Sequence, residues 1–136
     1  MTKELWINLP VKDVSRAKAF FNKIGFSINE ERSNDTMAAV KVGQKQVPVM
    51  LFREDVFAGV IQNTVTDTAK SNEAIFSFDA ETKQEVDEMA KMVTDAGGNV
   101  FAPPAEIQGW MYGCAFTDLD GHRWNILYMD MGKMPK

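Results

Sequence analysis

The chain has 136 residues and a formal net charge of −4, enough length for one domain that buries its apolar surface without disulfides or a structural metal. Hydrophobic residues at 45% and charged residues at 25% are ordinary for a globular protein. A single cysteine, Cys114, excludes an intramolecular disulfide and a zinc ribbon, and the dispersed lysines and arginines leave no electrostatic footprint for nucleic acid.

Leu5 to Leu9 alternates as a strand, with Trp6 and Asn8 on one face and Leu5, Ile7 and Leu9 on the other, closed by Pro10. Asp13 is placed to cap a helix through Lys23, because its side chain can accept from an amide two or three residues on. Val14, Ala17, Phe20, Phe21 and Ile24 form one apolar stripe at helical spacing, and Gly25 suits the helix end. Three strands are predicted next, Phe26 to Glu31, Thr36 to Val42 and Val47 to Arg53, with turns at Ser33-Asn34-Asp35 and Gly43-Gln44-Lys45. From Glu54 to Asn72 a short amphipathic helix around Val56, Phe57, Val60 and Ile61 runs into a polar linker.

The opening order then returns. Ala74 to Asp79 reads as a strand and Thr82 to Ala96 as a helix with Val86, Met89, Ala90 and Val93 on one face, stopped by Gly97-Gly98. Strands follow at Asn99 to Ala102, Trp110 to Thr117 and Arg123 to Met129, with an extended loop from Pro103-Pro104 to Gly109. The expectation is one domain of two βαβββ modules, residues 1–53 and 73–136, joined by a linker at 54–72. One helix can cover only one face of each module's sheet, so the other face needs a second module, a partner chain or a ligand.

Between the last two strands lies Phe116-Thr-Asp-Leu-Asp-Gly-His-Arg-Trp-Asn-Ile-Leu-Tyr128, a tight turn whose aspartates can bond their own backbone. This stretch resembles the C-terminal signature of the vicinal-oxygen-chelate superfamily, which includes glyoxalases, bleomycin-resistance proteins and extradiol dioxygenases. Asn8-Leu-Pro-Val-Lys-Asp13, Phe20-Phe21, Ile24-Gly25-Phe26 and Gly109-Trp-Met-Tyr-Gly113 extend the similarity over nearly the whole chain. The resemblance implies an α+β fold in which two βαβββ modules form a curved, cleft-enclosing mixed β-sheet. It also implies metal ligands on the first and last strands of each module in those relatives that bind a metal. Carried onto this chain, those positions are Trp6, Glu73, Asn125 and the Met50 to Phe52 stretch.

One carboxylate, one amide and no histidine is a poor donor set for a divalent ion, because indole and thioether do not serve hard cations. His122, the only histidine, reads as a stiffener of the turn beside Asp118, and Asp118 and Asp120 as turn formers. Glu30 and Glu31, read on a strand, point to opposite faces and cannot act as a pair. Cys114 has no activating neighbour in the sequence and reads as a small buried residue. By strand parity Arg123, Asn125 and Leu127 face the cavity while Trp124 and Tyr128 face the covering helix; the face of Trp110, Tyr112 and Phe116 stays open.

The leading expectation is a metal-independent protein, without a cofactor, that binds a small organic molecule in an aromatic-lined cleft through Trp6, Asn8, Met50, Glu73, Trp110, Tyr112 and Asn125. No catalytic residue stands out. A metal-dependent lyase, isomerase or dioxygenase and a regulatory domain without ligand chemistry are the alternatives. With no secretion signal and no apolar stretch long enough for a bilayer, the chain is expected to be a cytoplasmic homodimer that binds neither membrane nor nucleic acid.

Overall fold

A computed structural model describes residues 1–135. The chain folds as two compact units, Met1–Asp67 and Thr68 onward, each carrying one four-stranded mixed sheet. In chain order the elements are β1 (Ile7–Val11), α1 (Val14–Lys23), β2 (Ser27–Asn29), β3 (Met37–Val42), β4 (Val47–Arg53), α2 (Glu54–Ile61), β5 (Ile75–Ala80), α3 (Lys83–Asp95), β6 (Asn99–Ile107), β7 (Met111–Thr117) and β8 (Arg123–Met129). The sheets run β1-β4-β3-β2 and β5-β8-β7-β6, so the two units share one topology and the fold is α+β. In each, the first strand lies parallel to the last and the rest of the sheet is antiparallel.

The helices repeat the same local chemistry. Asp13 Oδ1 accepts from Arg16 N at 3.0 Å to start α1, and Thr82 Oγ1 accepts from Glu85 N at 3.1 Å to start α3. Both helices stop at a glycine with positive φ, Gly25 at 99° and Gly97 at 95°, after which Phe26 N reaches Phe21 O and Gly98 N reaches Val93 O. That closing pattern needs a left-handed residue, which glycine adopts without a Cβ penalty.

Helix α1 buries Val14, Ala17, Phe20 and Phe21 in a core with Val40, Val49 and Leu51; Phe20 and Phe21 meet edge to face at 5.2 Å. Helix α3 buries Val86, Met89 and Val93 in the second core, with Phe116, Trp124 and Ile126. There Phe76 and Phe78 flank the indole of Trp124, at 5.1 and 6.3 Å between ring centroids. No described helix is long and apolar enough to cross a membrane.

Three strands differ from the sequence expectation by two residues or more at an end. Strand β1 runs Ile7–Val11 rather than Leu5 to Leu9, and Pro10 lies within it. As the edge strand of its sheet it can hold a residue with no N–H to donate. Strand β2 stops at Asn29, and Glu30–Arg32 form a 3-10 turn, so Glu30 and Glu31 do not alternate across a strand; Glu30 instead pairs with Lys18 of α1 at 2.9 Å. Strand β6 continues through Pro103-Pro104 to Ile107 where a loop was expected. It too is an edge strand, and its pairing with β7 breaks register on either side of Ala102, which leaves the prolines where no ladder bond is required.

Candidate functional site

The sheet registers build two matching rows on the faces turned away from α1 and α3. In the first unit Asn8, Met50 and Ala39 are paired across β1, β4 and β3. In the second, Ser77, Asn125 and Ala115 are paired across β5, β8 and β7. The strand order makes Met50 the topological counterpart of Asn125, and Asn8 that of Ser77.

Around Met50 the first unit opens a pocket of about 270 Å³. Its floor is Trp6, Met37, Pro48, Met50 and Phe52, with Glu4 and Arg32 completing the wall. Strand alternation explains the grouping: Pro48, Met50 and Phe52 are every second residue of β4, and Met37 is the register partner of Phe52. Arg32 is carried there by the 3-10 turn after β2. Ser33 Oγ donates to Asn29 O at 2.8 Å and accepts from Ala39 N at 3.1 Å, while Asn34 Oδ1 accepts from Thr36 N and Met37 N. Two thioethers, two aromatic rings and a proline make an adaptable apolar surface with polar groups only at its margins.

Of the seven residues expected to contact a ligand, Trp6 and Met50 meet in this pocket, and Asn8 lies on the same sheet face beside Met50. Asn125 lies on the corresponding face of the other sheet, and its Oδ1 is buried with no hydrogen-bond partner among the described residues. Glu73 is exposed in a bend two residues before β5; the register counterpart of Trp6 is Ile75, and Glu73 corresponds to Glu4. Tyr112 belongs to the opposite side of its sheet, where its hydroxyl donates to Asp87 of α3 at 2.7 Å, which also holds the phenol pKa above its ordinary value. Trp110 sits in the turn before β7 rather than on the strand. The sequence reading missed Glu4, Arg32, Met37 and Pro48, and reached Phe52 only as the end of the Met50 to Phe52 stretch. Parity with Met50 is a signal for Pro48 and Phe52; Arg32 fell between the strand expected to end at Glu31 and the turn at Ser33, and no local pattern marks the 3-10 turn that carries it.

Beside Asn125, the Arg123 guanidinium stacks over Phe101 at 4.2 Å and its Nε donates to Asn72 Oδ1 at 2.9 Å. Asn72 Nδ2 in turn donates to Gly121 O at 3.1 Å, and Thr68 Oγ1 donates to Asp120 O at 2.6 Å. These bonds tie the segment before β5 to the β7–β8 turn. Inside that turn Asp118 is buried: its Oδ1 accepts from the amides of Asp120 at 2.9 Å and His122 at 3.1 Å, and its Oδ2 accepts from Trp124 Nε1 at 3.1 Å. Burial pushes its pKa up, against the pull of His122 and the indole N–H. Its oxygens serve the turn, as the sequence reading expected. Cys114 is 3% exposed, lies against the Val86 carbonyl, and has its pKa pushed up to about 11 by burial. At neutral pH it is a thiol and not a nucleophile.

The residues present do not fit a divalent metal. Among the described residues no three His, Cys, Asp or Glu side chains converge. The positions that the resemblance points to supply an exposed carboxylate, an amide and an indole, without the charge and lone pairs that hold such an ion.

A family model described as Glyoxalase/Bleomycin resistance protein/Dioxygenase superfamily matches residues 5–126. Among solved structures, a hypothetical protein from S. aureus is 35% identical, with a TM-score of 0.84 and coverage of 94% of this chain and 95% of that one. A glyoxalase-related enzyme from Fulvimarina pelagi is 16% identical, with a TM-score of 0.81 and coverage of 94% and 88%. A genomically encoded fosfomycin resistance protein from Listeria monocytogenes is also 16% identical, with a TM-score of 0.69 and coverage of 97% of each chain. At that identity the last two show the fold alone. No protein of curated function matches the chain.

Proposed function

This chain belongs to the Glyoxalase/Bleomycin resistance protein/Dioxygenase superfamily, and from that premise we propose that it binds a small, flat organic molecule without a metal. Binding sequesters the molecule, as in resistance, or serves a related role. The observation that carries this reading is the pocket of about 270 Å³ whose apolar lining is Trp6, Met37, Pro48, Met50 and Phe52. Trp6 is 55% exposed, an area large enough to reward a stacking partner that removes it from water. Asn8 supplies a neutral polar group on the same sheet face beside Met50.

Lyase, isomerase or dioxygenase chemistry would need ligands that the donor set above does not provide. The proposal extends to a cytoplasmic homodimer. Exposed Trp6, Ile75, Phe101 and Met129 favour cover by a second copy, and one unpaired buried thiol suits a reducing compartment. A thermal-shift screen of planar aromatic compounds tests the core of the reading, since a ligand held only by the folded state raises Tm. A hit is expected to lose its effect in Trp6→Ala. Tight stoichiometric nickel, zinc or manganese with glyoxalase turnover would replace this proposal with the enzyme reading. Sedimentation as a monomer at micromolar concentration would remove the dimer.

A further inference from the structure

The charged residues at the margins of the pocket are the feature that the apolar floor does not explain. Arg32 and Glu4 both line it, yet no ion pair joins them and neither side chain has a hydrogen-bond partner among the described residues. Neither lies in a paired strand, and the registers of the strands they adjoin set them toward opposite ends. Glu4 enters two residues before Trp6, and the parallel pairing of Ile7 with Val49 sets that end of the floor at Pro48. Arg32 enters beside Met37, whose partner is Phe52, and Asn34 N bonds Met37 O at 2.8 Å to hold the turn against that end. Pro48 and Phe52 are four residues apart on β4, about 13 Å at the rise of a strand. The pocket therefore has a guanidinium end, a flat apolar middle and a carboxylate end.

We propose that the ligand of this pocket is a planar aromatic molecule with an anionic group at one end, gripped by Arg32, and an N–H or O–H donor at the other, accepted by Glu4. This inference rests on the binding function proposed above and names the class of molecule bound. A guanidinium offers a planar fork of donors that matches a carboxylate in two bonds, whereas an ionised carboxylate can only accept. The net charge of −4 disfavours anions at long range. Selection for an anion consequently rests on contact with Arg32. Both residues are exposed, so the gain from each is modest and falls with salt.

Calorimetric titration of the full chain with 2-naphthamide, 2-naphthoate and 6-amino-2-naphthoate separates the contributions. The carboxylate is expected to bind about tenfold more tightly than the neutral amide, and the amino acid more tightly still. Arg32→Gln is expected to erase the preference for 2-naphthoate over 2-naphthamide. Glu4→Gln should reduce only the advantage of the amino group. Both substitutions are at exposed positions, and an unchanged Tm verifies that the fold is intact. Equal binding of the amide and the carboxylate, or a preference that survives Arg32→Gln, overturns the inference while the pocket stands. Failure of all three compounds to bind at millimolar concentration overturns the pocket and the inference together.

Discussion

The hairpins β3–β4 and β7–β8 hold the same place in their two units and do opposite things. The first closes through an exposed Gly43–Gln46 turn held by one backbone bond of 3.0 Å, and its outward row carries the pocket around Met50. The second closes around the buried Asp118 carboxylate with three bonded donors, and its corresponding row carries small residues, Ala115 and Gly113, flanking Asn125. At Gly113 an added Cβ would lie 2.6 Å from both Ile126 O and Leu127 Cδ2, so this position in the row has no room for a side chain. The recognisable motif therefore marks the hairpin that fixes the fold. The candidate site belongs to the hairpin whose sequence is unremarkable. A signature built on turn chemistry reports how a chain folds, and the chemistry of a site has to be found separately.

The largest expected break in this contrast comes from Asp118→Ala, which strands two backbone amides and an indole N–H in a buried turn. It is expected to cost about 3–5 kcal/mol, while Lys45→Ala in the other turn stays within about 0.5 kcal/mol. Urea denaturation of both variants measures the difference, and equal effects would end the distinction between the two turns.

Met50→Ala comes next. Met50 is 7% exposed, and truncation is expected to remove about 3 kcal/mol together with the binding of flat aromatic ligands. Loss of stability with affinity intact would detach the pocket from function.

Cys114 gives a dependence on pH on the α3 side of the second hairpin. Burial raises the folded pKa from 9.0 to about 11. The unfolded chain therefore loses its thiol proton first, and folding stability falls as pH rises from 9 towards 11. The full loss is about 2–3 kcal/mol, recovered in Cys114→Ala after allowance for the smaller side chain. Denaturation midpoints at pH 8 and pH 10.5 show the slope. Thiol labelling at pH 8 should proceed in urea and not in the folded protein.

The smallest effect is expected at Asn125→Leu. Removing a buried oxygen that has no partner is expected to stabilise the chain by about 1 kcal/mol. Destabilisation would show that the amide makes a bond within the assembled protein and would point to the second hairpin as a binding element.

The sequence alone determined the local events whose physics sits within a few residues. Asp13 as a helix cap, Gly25 and Gly97 as helix ends, the paired β-α-β-β-β orders and the self-satisfied Asp118 turn all follow from side chains acting on nearby backbone. The inward stripe of α1 and the helix-facing side of Trp124 were read from periodicity for the same reason. Tertiary structure decided whatever depended on the neighbour across the sheet. Pro10, Pro103 and Pro104 lie within strands because those strands are edges, and edge position is a property of strand order that no local pattern encodes. Tyr112 was assigned to its sheet face by α3, some twenty-five residues away, through Asp87. Trp6 and Met50 were found by parity and resemblance. Arg32 and Glu4 joined them only once the parallel pairing of β1 with β4 and the 3-10 turn after β2 set distant side chains around one floor, because a site made across strands is fixed by register.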